Sequence, residues 1–343
     1  MDGTDTTHGS HGRGRVPGIA VALVAAALAG WVPPSGRAER SPHATTPAVR
    51  VTTITYRSHD GARREATVVL PASYGSTDHA PIPLVISPHG RNVTGRANAG
   101  YWGTLPAVGR FAVVNPEGKG RRLARNSFGY TGQIDDLARM PEIVSAALPW
   151  VHIDRSRIYA LGSSMGGQET LLLVARHPDL LAGAVAMDAV TNLVRRYRQM
   201  PDLACGVRCV RRFGQPYGLL LQQNLAHEVG GTPADSRRQY EARSPLSLAQ
   251  RIASSGVPLQ IWWSKNDRVV TDQAHQCGAL FQALRRLGAA APVAEFVGSW
   301  RHSHEMRATA FLPIALQRLG LLPAATKMLP RSVAVTKATP VAT

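Results

Sequence analysis

The sequence predicts an α/β fold in which a mostly parallel β-sheet carries helices on both faces. Short apolar runs alternate along the chain with segments of helical periodicity, an order typical of such sheets. The 343 residues, 44% of them apolar, suffice for one large domain with additional segments. One apolar run leads into the turn Gly162-x-Ser164-x-Gly166, and leucines at helical spacing follow it. A strand, a sharp turn and a helix are therefore expected to meet at Ser164.

Eight strands are expected in the sheet. The first two, over 49–56 and 65–70, are rich in β-branched residues, and the Asp60-Gly61 pair between them favours a hairpin. The other six are short and mostly apolar, as buried strands are: 83–87, 111–114, 157–161, 184–187, 259–263 and 293–297. One helix is expected over 134–148 and another directly after Ser164.

The first 48 residues are expected to lie outside this domain. Arg13 and Arg15 precede an apolar run over 19–29, which suits a signal peptide and is shorter than the roughly 20 residues of a membrane-spanning helix. We expect a signal peptide over 1–29 and a secreted protein, with an uncleaved membrane anchor as the alternative. The Pro- and Ser-rich residues 30–48 predict a linker, the domain covers 49–321, and residues 322–343 are expected to be a disordered tail.

The turn around Ser164 has the chemistry of a catalytic serine. A serine at the apex of a strained turn exposes its hydroxyl, and its neighbours must be small to avoid collision. The N–H of the next residue, Met165, would face the oxyanion that forms during acyl transfer. The alternative is a glycine-rich turn with an idle serine.

From residue 49 to residue 319 the sequence resembles the α/β-hydrolases, in particular the esterase and prolyl-oligopeptidase-like serine hydrolases. This resemblance implies the chain order nucleophile, acid, histidine. Ser164 is then the nucleophile, and Asp267, shortly after the strand over 259–263, is the expected acid. Asp188, at the end of the preceding strand, and Asp272 are the alternatives, and each of these residues could instead cap a turn.

Two histidines, His302 and His304, follow the last predicted strand. Ser303 is a good N-cap and Glu305 suits the first turn of a helix, which predicts that the final helix begins between the two histidines. A loop residue can turn its ring towards Ser164, so His302 is the expected base and His304 the alternative.

The resemblance also implies an oxyanion hole. One N–H would come from Met165 and a second from the loop Pro88-His89-Gly90-Arg91. The three-glycine run of many lipases is missing here, so Gly90 and Arg91 both remain candidates. His89 is expected to hold this loop by a hydrogen bond.

The segment 191–248, between the sixth and seventh strands, is expected to form a helical cap over the serine. Its nine arginines outnumber its four carboxylates, which predicts either a basic rim that steers anionic substrates or a solvated surface. Cys205 and Cys209 in this segment are expected to form a disulfide in an exported chain, and Cys277 is expected to stay free.

These features predict a secreted serine hydrolase that cleaves a small-molecule or polymer-linked carboxylic ester through an acyl-enzyme, without cofactor or metal. The alternatives are a prolyl-oligopeptidase-like serine exopeptidase, an acyltransferase and an inactive cell-surface binding module. The net charge of +17 favours weak attraction to anionic surfaces. Neither zinc-knuckle spacing nor a basic–aromatic strand pattern points to nucleic acid binding.

Overall fold

The computed structural model describes residues 48–76, 78–203, 207–324 and 334–338, with only the backbone given for 207–209 and 334–338. The expected signal peptide over 1–29 and nearly all of the expected linker over 30–48 lie outside these residues. Within the described ranges, no helix has the length and apolar character needed to cross a membrane.

A nine-stranded sheet forms the centre of the described chain. Its strands, named β1 to β9 in chain order, are Val49–Arg57, Arg63–Pro71, Ile82–Ile86, Ala112–Pro116, Ile153–Ser163, Gly183–Met187, Leu259–Ser264, Val293–Gly298 and Ala334–Ala338. In space the order is β1-β2-β4-β3-β5-β6-β7-β8-β9. The strands β3 to β8 run parallel, while β1, β2 and β9 pair antiparallel with their neighbours. All eight expected strands are confirmed.

The ninth strand corrects the expectation of a disordered tail over 322–343. Ala334–Ala338 pairs antiparallel with β8, in a register that places Val293 opposite Ala338 and Val297 opposite Ala334. Without it, β8 would present a row of unpaired backbone groups at the sheet edge, which the backbone of Ala334–Ala338 satisfies. Val335 and Thr336 at its centre are residue types that favour strands. The tail prediction is therefore wrong for these residues.

Helices cover both faces of the sheet, as the sequence predicts. Those of the described chain, named α1 to α12, are Gly95–Ala99, Leu105–Gly109, Thr131–Ala138, Met140–Ala147, Met165–Arg176, Leu193–Gln199, Val207–Phe213, Tyr217–Val229, Arg237–Ala242, Ala249–Ala253, Cys277–Leu287 and Leu312–Arg318. The single helix expected over 134–148 is instead the pair α3 and α4. Pro141 lies in the first turn of α4, where its missing N–H costs no hydrogen bond, and it would have interrupted a continuous helix.

Two apolar clusters fill the space between the sheet and its helices. Neighbouring residues of β3 point to opposite clusters, since Leu84 belongs to one and Val85 to the other. Helix α5 adds its leucines to the first cluster, and α12 adds Leu312 and Leu316 to the second. Burial of both faces explains why the strands are all-apolar runs, and it leaves the carboxyl ends of the parallel strands as the edge where polar residues can meet.

The final helix begins later than expected. Ser303 has φ 59°, in the left-handed region, whereas an N-cap residue is normally extended. Its hydroxyl lies 3.0 Å from that of Ser163. Helix α12 starts only at Leu312, with Pro313 in its first turn. Both His302 and His304 therefore lie in a segment of turns.

Candidate active site

Ser164 lies in the sharp turn between β5 and α5. Its backbone has φ 60° and ψ −122°, a conformation that is strained for any residue with a side chain. Its N–H donates to the Met187 carbonyl at 2.8 Å, and its own carbonyl accepts from the Gln168 N–H at 3.0 Å. The neighbouring strand and the first turn of α5 thus hold the serine in this strained position.

The two glycines of the motif are required by backbone crowding. A Cβ atom at Gly162 would lie 2.5 Å from the Gly166 carbonyl oxygen, and one at Gly166 would lie 2.2 Å from the Pro88 carbonyl oxygen. Both clashes are with main-chain atoms, which cannot rotate away. The spacing of the motif therefore reflects a close approach of the turn, α5 and the loop after β3.

Asp267 and His302, from the loops after β7 and β8, form a hydrogen-bonded pair. The distance from Asp267 Oδ2 to His302 Nδ1 is 2.8 Å. Asp267 Oδ1 accepts from the N–H groups of Val269 and Val270, at 2.8 and 3.0 Å, and Gln273 Nε2 lies 3.2 Å from Oδ2. An ionised carboxylate can only accept, so the ring proton lies on Nδ1 and Nε2 is the free acceptor.

The alternative residues make other contacts. Asp188 Oδ1 accepts from the Ser264 N–H at 2.8 Å, and its Oδ2 accepts from Trp300 Nε1 at 2.9 Å. Asp272 is bonded to an arginine of α6 and to a histidine three residues on. His304 is exposed to solvent. Of the sequence-predicted acids and bases, Asp267 and His302 are the two that the structure joins.

A buried carboxyl group that the sequence analysis missed, that of Glu305, lies close to Asp188. Glu305 is fully buried and accepts from Ser163 Oγ at 2.7 Å, whereas the helical prediction placed it at a helix start. Burial raises the pKa of Glu305 to about 7. Burial, followed by the negative charge of Glu305, raises the pKa of Asp188 well above its usual range. At neutral pH this acidic pair therefore retains protons that exposed carboxyl groups would have lost.

Among the residues that the structure describes, Asp188, Asp267 and His302 have a spacing that would admit a metal ion, since one potential ligand atom from each lies within 4.8 Å of the others. The carboxylate oxygens of both aspartates are already engaged, by the Ser264 N–H, Trp300 Nε1 and the other donors given above, and His302 Nδ1 is bonded to Asp267. The raised pKa of Asp188 further disfavours a ligating carboxylate. The chemistry of this set fits a hydrogen-bonded network better than a metal centre.

The loop after β3 is fixed by His89, as the sequence analysis expects. Its Nδ1 lies 2.7 Å from the Gly90 carbonyl oxygen, and its Nε2 accepts from the Gly118 N–H at 2.8 Å. Burial lowers the pKa of His89, so the ring is neutral and donates through Nδ1. Because the Gly90 carbonyl faces His89, the Arg91 N–H of the same trans peptide points the opposite way.

A cavity of about 220 Å³ opens in front of Ser164. The sheet edge contributes Ser164, Met165 and His302 to its lining, and the loop after β3 contributes Gly90 and Arg91. The described residues of the segment 191–248 form several short helices, and among them Arg196 and Met200 supply further wall residues. The nucleophile, base and oxyanion candidates from the sequence thus meet at one cavity.

The cysteines of the predicted disulfide fall outside what the structure describes, since Cys205 and the side chain of Cys209 are not among the described groups. The disulfide therefore stays a prediction. Cys277 is buried and free.

Comparison with known proteins relates part of this chain to one family of serine peptidases. Residues 117–211 match the prolyl oligopeptidase family. A Caenorhabditis elegans protein described as dipeptidyl peptidase family member 6 is 28% identical over 155 residues, which is 44% of this chain and 18% of that relative. This chain thus spans a small part of the curated relative that it matches.

Among solved structures, the acylaminoacyl peptidase of Pyrococcus horikoshii aligns with a TM-score of 0.59 and 16% identity, over 83% of this chain and 44% of that one. The structures of two fungal esterases from Rhizomucor miehei include a chain that aligns with a TM-score of 0.56 and 14% identity, over 80% of this chain and 82% of that one. At these identities the likeness shows the fold.

Proposed function

We propose that this chain, which has the α/β-hydrolase fold, is a serine hydrolase that cleaves small carboxylic esters through a Ser164–His302–Asp267 triad. The observation that carries the proposal is the convergence of Ser164 and His302 at one cavity, with His302 Nδ1 bonded to Asp267. The strained backbone of Ser164 supports its role as the nucleophile.

The reaction follows from this arrangement. Ser164 Oγ attacks the acyl carbonyl while His302 Nε2 takes its proton, and Asp267 holds the ring and stabilises its positive charge. The tetrahedral intermediate expels the alcohol, which receives the proton from His302, and an acyl-enzyme remains. His302 then takes a proton from water, whose oxygen attacks the acyl-enzyme carbonyl. The second tetrahedral intermediate expels Ser164 Oγ, which receives that proton from His302, and the carboxylic acid is released.

The oxyanion hole is assigned to two backbone donors. The Met165 N–H opens α5, where the first N–H groups of a helix have no partner within the helix and the helix dipole favours negative charge. The Arg91 N–H is the better second candidate, because the Gly90 carbonyl is held by His89 and by the Val93 N–H at 3.1 Å. Fixed donors of this kind stabilise the transition state without reorganisation.

The space directly in front of Ser164 suits the acyl group of a small ester, and further open space adjoins His302. The volume of the Ser164 cavity, about 220 Å³, lies below the roughly 300–1,000 Å³ of sites that take drug-sized ligands. The match of residues 117–211 to the prolyl oligopeptidase family supports a second candidate, a serine exopeptidase, which the same triad would serve.

The test is a panel of p-nitrophenyl esters of graded chain length beside aminoacyl anilides. We expect turnover of short-chain esters and a loss of about 10⁶-fold in kcat for Ser164→Ala. Ser163→Ala is the matched control, because its hydroxyl contacts Ser303 and Glu305, and it should keep kcat within about tenfold. Anilide turnover without ester turnover would favour the peptidase. Acyl transfer to an added alcohol without hydrolysis would favour the acyltransferase, and the absence of any turnover would favour the inactive binding module.

We also propose that the protein is exported, a proposal supported by the apolar run over 19–29. Sequencing the N-terminus of the protein recovered from culture medium tests it, and we expect a start near residue 30. A protein retained in the cell with an intact N-terminus would contradict export.

A further inference from the structure

Arg196 of α6 is buried in the wall of the Ser164 cavity, and its charge has no partner in the described chain. The residue is 3% exposed and lines the same cavity as Ser164 and His302. Its Nη1 makes no hydrogen bond to any described group. Among the described residues of the 191–248 segment, the other buried arginine differs sharply, because Arg243 forms an ion pair with Glu228 at 3.1 Å.

A buried guanidinium without a counter-ion is costly. Taking a charge out of water is compensated only by pairing and hydrogen bonding, and an isolated buried charge is correspondingly rare. Burial, followed by the positive charge of Arg91, lowers the pKa of Arg196 to about 10, so it remains protonated at neutral pH. The cavity wall therefore holds a protonated guanidinium that the more distant charge of Asp267 offsets only in part, and a bound anion could pair with it directly.

Arg91 strengthens the positive field of the cavity. It lines the cavity beside Arg196, and its Nη1 donates to the hydroxyl of Tyr217 on α8 at 2.8 Å. Apolar side chains, including Val190 and Met200, complete the wall near α6. A short methylene chain fits such a wall, with a charged group at its far end.

Resting on the proposed esterase function, we propose that Arg196 binds a free carboxylate of the substrate, so that the enzyme prefers small esters bearing a carboxylate a few bonds from the scissile carbonyl. The planar guanidinium offers paired donors that match a carboxylate. The carboxylate could belong to the acyl part or to the alcohol part, and both place it in the same cavity.

Two matched substrate pairs test this proposal and separate the two cases. Monomethyl glutarate and methyl valerate differ only by a carboxylate in place of a methyl group on the acyl chain. The esters 4-acetoxybutyrate and butyl acetate differ in the same way on the alcohol chain. We expect wild-type kcat/KM, followed by acid release in a pH-stat, to favour the anion by about 10- to 100-fold in at least one pair.

Three variants locate the preference. Arg196→Met, which removes the charge and keeps an unbranched side chain, should bring the ratio of anion to neutral ester near one, and Arg196→Lys should restore part of it. The matched control is Arg198→Met, which removes an exposed positive charge from the same helix and should keep the wild-type ratio. Equal losses for both esters of a pair in Arg196→Met would show a merely structural role and overturn the proposal.

A binding measurement makes the inference independent of turnover. Ser164→Ala protein should bind monomethyl glutarate in a calorimetric titration, and the added Arg196→Met change should weaken this binding by about tenfold or more. Arginine-dependent binding without turnover of any ester by the wild type would contradict the esterase and support the carboxylate site. Turnover of the neutral esters without any anion preference or arginine-dependent binding would refute the carboxylate site and leave the esterase standing.

Discussion

The substitution Asp267→Asn tests whether Asp267 is the acid of the proposed triad, because it changes the tautomer of His302 and keeps the geometry of the site. An asparagine can keep Oδ1 as the acceptor for the Val269 and Val270 N–H groups, which places its NH₂ where Oδ2 faces His302. The NH₂ then donates to Nδ1, so the ring proton moves to Nε2 and the ring can no longer accept from Ser164. The geometry of the site survives while the base is lost.

The expected loss in kcat is about 10⁴-fold, equivalent to about 5.5 kcal/mol, as for the corresponding change in other serine triads. Stability should change little, since Gln273 Oε1 has no partner among the described groups and an amide flip would let it accept from the new NH₂. Kinetics on the best p-nitrophenyl ester, together with urea denaturation, measure both effects.

Asp188→Asn is the matched control. It leaves the His302 tautomer unchanged but deprives either Trp300 Nε1 or the Ser264 N–H of an acceptor, at a cost of about 1–3 kcal/mol in stability. Its kcat should fall by less than about 100-fold, because Asp188 is hydrogen-bonded to Ser264 and Trp300 and holds the site in place without bonding to His302. A larger kcat loss for Asp188→Asn than for Asp267→Asn would refute the assignment and make Asp188 the acid.

The remaining predictions concern the base, a buried acid and the cysteines. His302→Ala should lower kcat by about 10⁶-fold, whereas His304→Ala, at an exposed residue, should lower it by less than about tenfold. The reverse order in steady-state kinetics would make His304 the base. Burial raises the pKa of Glu169 to about 8, so its contribution to stability is full below about pH 4.5 and is lost as the pH rises towards 8. The stability advantage of Glu169→Gln in urea denaturation should therefore grow by about 1.4 kcal/mol per pH unit between pH 5 and 8, and a difference independent of pH would refute this. Non-reducing peptide mapping of exported protein should find Cys205 and Cys209 in one disulfide, worth at most about 2 kcal/mol for so short a loop, and two free thiols would contradict it.

The sheet was predictable because burial on both faces removes polar residues from its parallel strands. Their all-apolar runs are visible without any knowledge of their neighbours. The ninth strand was not predictable, because its pairing depends on the exposed edge of β8, which lies far from Ala334–Ala338 in sequence. Pairing at a sheet edge depends on tertiary contacts, so it leaves little signal in the local sequence.

The candidate site also contains residues whose position the sequence could predict and one, Glu305, whose position it could not. The position of Ser164, Asp267 and His302 at one edge of the sheet could be predicted, because each follows a recognisable strand and the carboxyl ends of parallel strands share one edge. That of Glu305 could not, since its spacing after Ser303 is equally typical of a solvent-exposed helix start. Only the folded chain shows that Ser303 is left-handed and that Glu305 turns inward to Ser163.

Arg196 shows the same limit within a helix. It lies in a run with Arg195 and Arg198, and the sequence cannot say which of the three faces inward. Successive helical residues are about 100° apart around the axis, so the docking of α6 decides. The structure turns Arg196 to the cavity, joins Arg195 to Asp272 and leaves Arg198 in solvent.

Labelling with a fluorophosphonate probe, followed by peptide mapping and fragmentation, tests the central claim most directly. The probe bonds covalently to activated serines, so its site reports the nucleophile without any knowledge of the substrate. The triad predicts a single adduct on Ser164, absent in Ser164→Ala and formed far more slowly in His302→Ala. A folded wild-type protein that takes no label, or takes it on Ser163, would contradict the assignment of Ser164 as the nucleophile.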